Sequence, residues 1–315
     1  MKQLVNKKWC GIRISYFLIV LFLALIGIIV GSFFDLNISK ALYDKESGFG
    51  QFYETFGAGL GYMMIPAAGM ALFLGLYKSK NIWLRIIAYF LFAVSLLSTT
   101  FIYGHSLCDN QEYGMTTNKF CAYAFSFFLM ALSSLLTFLF VDKKDTRGLI
   151  IVGSVVLVSM AIQLALVNFL LKYLAMRPRY RFLMGDGSTK ALEGLNETFR
   201  AWWEMKPFSH TSGDYYKSWP SGHTSTAAIA LTLGLFPQVA EKKYKYEDLI
   251  FFVIGFLHLI LVAFARIVAG AHFMSDVSFG AFISVLGILI SLYLVDLASR
   301  KFSTQQLENT KQIRD

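Results

Sequence analysis

Two short segments at the edges of long apolar runs carry side chains that could act on a phosphate group. Residues 219–223 read Trp-Pro-Ser-Gly-His, and residues 266–276 contain Arg266, His272 and Asp276. A charge at the centre of a spanning helix costs roughly 2.5 to 3.5 kcal/mol on insertion scales, so a cluster of ionisable groups beside such helices indicates a functional site. Two histidines, an arginine and a carboxylate predict a site that handles phosphate.

The first segment places a helix N terminus beside a possible proton donor. An apolar run follows at 224–240, and the free N–H groups and positive dipole end of a helix start bind anions. Gly222 would let a ligand approach the backbone, the Ser221 hydroxyl could donate to an oxygen, and His223 could protonate a leaving group. Considered alone, this tetrapeptide could equally be a helix cap that includes a histidine.

The second segment combines a possible nucleophile with an orienting acid. His272 and Asp276 are four residues apart, which on a helix would place them on one face. The carboxylate could then accept a hydrogen bond from one imidazole nitrogen and leave the other nitrogen nucleophilic. Gly270 is expected to break the helix, so that Arg266 turns toward the same point. The alternative is a satisfied His–Asp pair with an interfacial arginine.

A third segment crowds cations at the end of another apolar run. Lys172, Arg177 and Arg179 lie within eight residues. Guanidinium groups match phosphate oxygens in a bidentate fork, and lysine adds a point charge. The cluster could clamp a dianion, although anchoring at the membrane interface would explain the same residues.

The composition predicts a polytopic membrane protein, all-α in class. Hydrophobic residues make up 56% of the 315 residues, charged residues make up 16%, and the mean hydropathy is +0.54. About 20 apolar residues cross a hydrocarbon core of about 30 Å as a helix. Eight stretches approach this length, and the first is interpreted as a retained helix rather than a cleaved signal. They are roughly 14–34, 58–77, 82–103, 120–141, 149–171, 224–240, 250–269 and 277–297.

The distribution of Lys and Arg predicts that both termini are cytoplasmic, because short loops rich in these residues stay inside. With eight crossings, the three candidate segments then fall on the extracytoplasmic side. That side carries eight cations between Lys172 and Lys217, plus Arg266, against the usual rule. We interpret them as an anion-binding patch. A nucleic-acid partner is not expected, because no recognition motif accompanies the charge.

The loop at 180–219 has an amphipathic pattern through roughly 189–205 that predicts an interfacial helix. Trp202 and Trp203 suit the interface, either as simple anchors or as a rim through which a lipid enters. Cys108 and Cys121 both fall near the outer surface. They could form a disulfide or be two small apolar side chains.

Together, and in this order, the segments resemble the type 2 phosphatidic acid phosphatase (PAP2) superfamily of membrane phosphatases. Its signature is K-x6-R-P, then P-S-G-H, then S-R-x5-H-x3-D. The second element is complete at 220–223, and the third matches except that Ala265 replaces serine. The first aligns with Lys172 and Arg179, but Tyr180 replaces proline, while Arg177 and Pro178 supply an offset Arg-Pro pair.

The resemblance implies a nucleophilic His272 that forms a phosphohistidine, with Asp276 orienting it and His223 protonating the departing oxygen. Phosphate would be held by a further group of residues, and no metal or other cofactor is implied. This group comprises Lys172, Arg179, Ser221, Gly222, Arg266 and, as a weaker candidate, Arg177.

The resemblance also implies a division of the chain. Residues 1–148 would form about four N-terminal helices, 149–298 the catalytic region of a six-helix PAP2-like core, and 299–315 a cytoplasmic tail. At least two N-terminal helices would be additions outside that core.

The expected function is a membrane phosphatase of a lipid phosphate or diphosphate, such as phosphatidic acid, phosphatidylglycerophosphate or a polyprenyl diphosphate, in a bacterial inner membrane. The alternatives are a phosphatase of water-soluble esters and a transporter or binding protein that does not hydrolyse its ligand.

Overall fold

The structure, a computed structural model, describes residues 7–109, 118–185, 199–204 and 214–312. It is 79% helical, which confirms the all-α class. Within the described ranges, seven helical segments are long and apolar enough to cross a membrane, so the chain is an integral membrane protein. They are Ile14–Leu42, Gly48–Leu76, Ile82–Cys108, Lys119–Phe140, Thr146–Ala175, Glu247–Val268 and Met274–Lys301.

These spans are built from the following elements. The first four α-helices are α1 (Ile14–Leu42), α2 (Gly48–Phe56), α3 (Gly59–Leu76) and α4 (Ile82–Asp109). The next four are α5 (Lys119–Phe140), α6 (Thr146–Gln163), which a π-helix at Leu164–Leu171 continues, α7 (Lys172–Ala175) and α8 (Tyr180–Leu183). The last three are α9 (Gly222–Ala228), which a 3-10 helix at Ile229–Val239 continues, α10 (Glu247–Val268) and α11 (Met274–Gln312). A 3-10 turn at Asp214–Tyr216 and a two-stranded hairpin, β1 (Lys8–Trp9) and β2 (Ile12–Arg13), complete the described elements; Lys8 pairs with Arg13 and Trp9 with Ile12.

The predicted span at 224–240 corresponds to the continuous helical segment 222–239, which is not among the seven. At about 1.5 Å per α-helical residue and about 2.0 Å per 3-10 residue, its length is roughly 32 Å, comparable to the hydrocarbon core. Most of its side chains are buried, and it packs against α10, α6 and α3. It therefore lies inside the bundle, where the helix that carries His223 is held on several sides.

Close helix contacts fix α1 against the start of α11. A Cβ atom at Gly31 would lie 2.5 Å from the backbone nitrogen of Ser275, so only glycine permits this approach. Large apolar side chains cover the outside of the bundle instead, among them Phe33, Phe120 and Phe169, each more than 70% exposed. Such a surface fits lipid rather than water.

The two ends of the bundle differ. At one end, the N–H of Cys10 donates to Oδ1 of Asp296 on α11 (3.2 Å), so the start of α1 and the later part of α11 lie together. At the other end, the N–H of Asp44 donates to the carbonyl of Val268, where α10 finishes (3.0 Å). The segments around His223 and His272 lie at this second end.

The N-terminal helices are not separated from the rest of the molecule. Helix α1 packs along α11, and α2 packs on α10. Helix α11 continues through residue 299 to Gln312, so no break marks the predicted tail. Of the predicted interfacial helix at 189–205, residues 189–198 and 205 lie outside the described residues.

Candidate active site

Backbone hydrogen bonds join the three predicted segments in pairs. The segment after α7 bonds both to the chain that precedes α9 and to the turn after α10. The chain that precedes α9 also bonds to the first turn of α11. These bonds run from the N–H of Ser218 to the carbonyl of Arg177 (3.1 Å), from Arg181 to Gly270 (2.9 Å) and from Ser221 to Asp276 (3.0 Å). Three distant parts of the chain therefore converge.

A tight turn after α10 carries His272. Helix α10 ends at Val268, and Gly270 has a φ of +63°, which favours glycine. The N–H groups of both Ala271 and His272 donate to the carbonyl of Arg266 (3.2 Å each). The expected helix break at Gly270 is present, and it holds His272 beside Arg266.

The orientation of His272 differs from the expectation. Because α11 begins at Met274, His272 lies outside the helix, and its four-residue spacing from Asp276 does not place them on one helical face. Nδ1 of His272 instead contacts the carbonyl of Ser218 at 2.5 Å. A carbonyl only accepts, so Nδ1 carries the proton and Nε2 keeps its free lone pair.

Asp276 acts on this arrangement through Ser218. Its carboxylate accepts from the Ser218 hydroxyl (2.5 Å), from the N–H of Phe273 (2.9 Å) and from Arg177. Asp276, which the sequence analysis predicted to orient His272 directly, thus fixes Ser218, and the carbonyl of Ser218 holds the His272 ring.

Arg177 is buried among protein groups. Its side chain is 1% exposed and lies between two carboxylates. Nη1 donates to Asp276 (2.5 Å) and to Ser275 (2.9 Å), and Nη2 donates to Asp35 on α1 (2.8 Å). Nε donates to the carbonyl of Arg200 (2.8 Å). Its three guanidinium nitrogens donate to protein groups, so we propose that Arg177 has a structural role in place of the predicted weaker role in phosphate binding.

Ser221 is the N-cap of α9, as the alternative interpretation of this segment had it. Its Oγ accepts from the N–H of Thr224 (3.3 Å) and lies 2.9 Å from the Thr224 hydroxyl. The next residue, Gly222, lies close to a cation of the third segment: a Cβ atom there would lie 2.9 Å from Nζ of Lys172. Lys172 and the start of α9 therefore face the same space.

His223 is fixed by the backbone of the N-terminal region. Its Nε2 lies 3.1 Å from the carbonyl of Glu54, so Nε2 carries the proton and Nδ1 is the nitrogen that can exchange a proton with a ligand. Glu54, on α2, was not predicted as a site residue.

The predicted cations surround both histidines. Burial is the main cause that lowers the pKa of His272 well below 6.5, and the charges of Arg266, Arg179 and Lys172 lower it further. Burial also lowers the pKa of His223 well below 6.5, and the same three cations add to the effect, against the carboxylate of Glu54. Both imidazoles are therefore neutral near pH 7 when no anion is bound, as a nucleophile requires.

Arg266 is a buried cation next to the turn that carries His272. It is 1% exposed, and its Nη1 forms an ion pair with Oε1 of Glu54 (2.7 Å). Among the described residues, its Nε has no hydrogen-bond partner. A buried donor of this kind costs about 1–3 kcal/mol unless it is satisfied, and a phosphate oxygen would satisfy it.

Several other site residues were missed by the sequence analysis. Asp35 accepts from the N–H (2.8 Å) and the hydroxyl (2.5 Å) of Ser275 as well as from Arg177, and Glu54 binds Nη1 of Arg181 with both oxygens (2.9 and 3.1 Å). Both carboxylates belong to spans of the structure, Ile14–Leu42 and Gly48–Leu76, but lie just outside the predicted stretches 14–34 and 58–77. An acid so close to an apolar stretch requires a partner, and that was the signal available in the sequence.

An aromatic cluster lies beside the segment at 219–223. Trp202 stacks on Trp219 and contacts Phe279, and its Nε1 donates to Ser32 on α1 (2.9 Å). The neighbouring Trp203 is 54% exposed. Cys108 and Cys121 are free thiols, so the disulfide that the sequence left open is not formed in the structure.

Residues 152–300 match the family model of the PAP2 superfamily. The chain therefore contains a PAP2 domain, and the resemblance stated from its motifs is confirmed. Members of this superfamily are phosphatases. No curated protein and no solved structure matches the chain. Helices α1 to α5, which supply Asp35 and Glu54, lie before the matched region.

Within the described ranges, no three His, Cys, Asp or Glu side chains are grouped as metal ligands. The absence of a metal from the reaction stays a prediction.

Proposed function

We propose that the protein is a membrane phosphatase that hydrolyses a lipid phosphate or diphosphate through a phosphohistidine at His272, without a metal. One observation carries this proposal. The three PAP2 segments are joined by backbone hydrogen bonds, and the N–H of His272 donates to the carbonyl of Arg266 (3.2 Å). Arg266 in turn pairs with Glu54 (2.7 Å), whose carbonyl lies 3.1 Å from Nε2 of His223. A nucleophile, a proton donor and an anion cradle thus share one space.

In the first step, Nε2 of His272 attacks phosphorus, the N–P bond forms, and the bond from phosphorus to the ester oxygen breaks. His223 gives its Nδ1 proton to the departing oxygen. Arg266, Arg179 and Lys172, with the backbone at Gly222, stabilise the charge on the phosphoryl oxygens. His223 is neutral in the empty site, and the dianionic substrate supplies the negative charge that raises its pKa and allows it to carry the proton.

In the second step, water replaces the histidine. His223, now neutral, accepts a proton from the water, the oxygen of the water bonds to phosphorus, and the N–P bond breaks. Inorganic phosphate leaves, and the neutral imidazole of His272 is regenerated with its Nδ1 proton still on the Ser218 carbonyl. The carbonyl prevents the ring from turning between the two steps.

The location of the site supports a substrate held in the membrane. It lies at the end of a bundle whose sides are covered by large apolar residues, and the half-buried Trp202 and exposed Trp203 lie beside it. A lipid whose tail remains in the bilayer would present its phosphate at this level. A soluble ester would use the same anion cradle, so the substrate panel below includes one.

The charge distribution supports an extracytoplasmic site in a bacterial inner membrane. The start of α1 and Asp296 of α11 lie at the same end, which fits an even number of crossings if the segment 222–239 counts as the eighth. Cations at that end, including Lys143, Lys242 and Arg300, favour the cytoplasm. The site then faces outward.

Phosphate release by the purified full chain in detergent tests the proposal. The substrates are phosphatidic acid, phosphatidylglycerophosphate, a polyprenyl diphosphate and a soluble sugar phosphate, each with and without chelator. We expect the wild type and H105A, a substitution of an exposed histidine, to release phosphate from a lipid substrate, and H272A to release none. Equal release by H272A would refute the nucleophile. A preference for the soluble ester would refute the lipid assignment, and loss of activity with chelator would refute the metal-free site.

A further inference from the structure

Glu54 is a buried carboxylate inside a site that binds an anion, where a negative charge is unexpected. It lies on α2, before the region that matches the PAP2 family model. Its side chain is 4% exposed, and its oxygens pair with Arg266 (2.7 Å) and with Arg181 (2.9 and 3.1 Å). Since a carboxylate opposes the binding of phosphate by like charge, its presence needs a different reason.

The contacts of Glu54 indicate that its carboxylate holds Arg266 in place. The carboxylate forms an ion pair with Nη1 of Arg266 (2.7 Å). A long side chain with four rotatable bonds is thereby held in one position. Nε of the same guanidinium is buried and, among the described residues, has no hydrogen-bond partner, so it is available to a ligand. Arg181 is bound on the other side of the same carboxylate, and the N–H of Arg181 donates to Gly270 in the turn before His272 (2.9 Å).

The main chain of Glu54 makes an independent contact with the proton donor. Its carbonyl accepts from Nε2 of His223 at 3.1 Å, which fixes the ring and directs Nδ1 to the ligand. The charged and titratable groups that face His223 are Arg266, Lys172, Arg179, His272 and Glu54. Among these described residues, Glu54 carries the negative charge, which favours the protonated imidazole against the effect of the three cations.

We propose that Glu54 is a positioning residue of the phosphatase site, which holds Arg266 through its carboxylate and His223 through its carbonyl. This rests on the proposed function. The N-terminal helices are then a part of the catalytic centre rather than an addition to it, because α2 supplies a group that two catalytic segments require.

The test is the pH dependence of kcat for the full chain and its E54Q, E54D and E46Q variants, on the lipid phosphate that the wild type hydrolyses. Glutamine keeps the size of Glu54 and its backbone carbonyl but removes the charge. A misplacement of about 1 Å can cost about a hundredfold in rate, so we expect E54Q to lose at least about tenfold in kcat.

The pH at which kcat declines on the alkaline side of its pH profile, the alkaline limb, distinguishes a role of Glu54 in catalysis from a role in folding. His223 must be protonated to act as an acid, and the charge of Glu54 raises its pKa. Removal of that charge in E54Q shifts the alkaline limb of kcat to lower pH. E54D keeps the charge on a shorter side chain, so it loses rate with the limb in place. E46Q removes an exposed carboxylate and keeps the wild-type profile.

Three outcomes would overturn the proposal: a wild-type kcat and profile in E54Q, a lower kcat in E54Q with an unmoved alkaline limb, or a shifted limb in E54D. If E54Q does not fold, the kcat of E54D tests the proposal, because a wild-type kcat in E54D excludes positioning through the carboxylate. H272A in the same series distinguishes this failure from that of the proposed function. An active H272A overturns the phosphohistidine, whereas a wild-type-like E54Q beside an inactive H272A overturns the role of Glu54 alone.

Discussion

Replacement of Arg177 by methionine tests whether this guanidinium holds the fold rather than the phosphate. Methionine keeps much of the length of the apolar stem but leaves Asp35 and Asp276 without their buried cation. Removal of one partner from a buried ion pair costs about 3–5 kcal/mol. At about 2–4 °C per kcal/mol for a large domain, the thermal midpoint should fall on the order of 10 °C.

The assay compares thermal unfolding and hydrolysis in detergent for R177M and R179M. Arg179 lies two residues further along the chain and acts on both histidines. We expect R177M to lose thermal stability, together with kcat, because Asp276 and Ser218 are released. R179M should mainly raise KM and weaken inhibition by vanadate. An unchanged midpoint in R177M with a raised KM would refute the structural role of Arg177.

Three further predictions concern the turn and the ring that it carries. S218A should retain activity within about tenfold, because the backbone carbonyl that holds His272 remains. Only one hydrogen bond to Asp276 is lost, which contributes about 1.5–3 kcal/mol to stability when one partner is charged. A loss of activity as large as that of H272A would contradict this prediction. The pKa of His272 is held below 6.5, so kcat/KM should show no decline as pH falls through 6.5 and should decline only at lower pH, where the ring gains a proton. A decline of kcat/KM centred at 6.5 or above would contradict the lowered pKa of His272. G270A should lower both thermal stability and phosphate release, since the φ of Gly270 is +63° and the new Cβ would lie 2.6 Å from the ring of Tyr43. The backbone strain alone should lower the free energy of unfolding by at least about 1 kcal/mol. A wild-type midpoint of thermal unfolding would exclude this strain.

The helices and the candidate histidines could be predicted from the sequence because their signals are local. Apolar runs near 20 residues identified the spanning segments, and the three short motifs identified the residues that the structure brings together. The His272 and Asp276 spacing was misleading for a local reason as well. Helix α11 begins two residues after His272, so the ring contacts Ser218 on another segment instead of the carboxylate.

Asp35 and Glu54 could not be assigned from the sequence because their partners are more than 120 residues away. Asp35 meets Arg177 and Glu54 meets Arg181 only after α1 and α2 pack on α11 and α10. The same packing distinguishes Arg177 from Arg179, the two arginines that flank Pro178, because it places Asp35 beside Arg177. Their types and spacing are equally suited to phosphate, and only the position of Asp35 shows that Arg177 is used by the fold.

The measurement that tests the account most directly is the trapping of a phosphoenzyme with a radiolabelled substrate. The wild-type chain is mixed with labelled lipid phosphate, quenched in alkali, which preserves phosphohistidine, and digested to locate the label. We expect the label on His272, none in H272A, and accumulation in H223A with a substrate whose leaving group needs no proton. Label on another residue, or turnover by the wild type with no labelled protein at any quench time, would contradict the central claim.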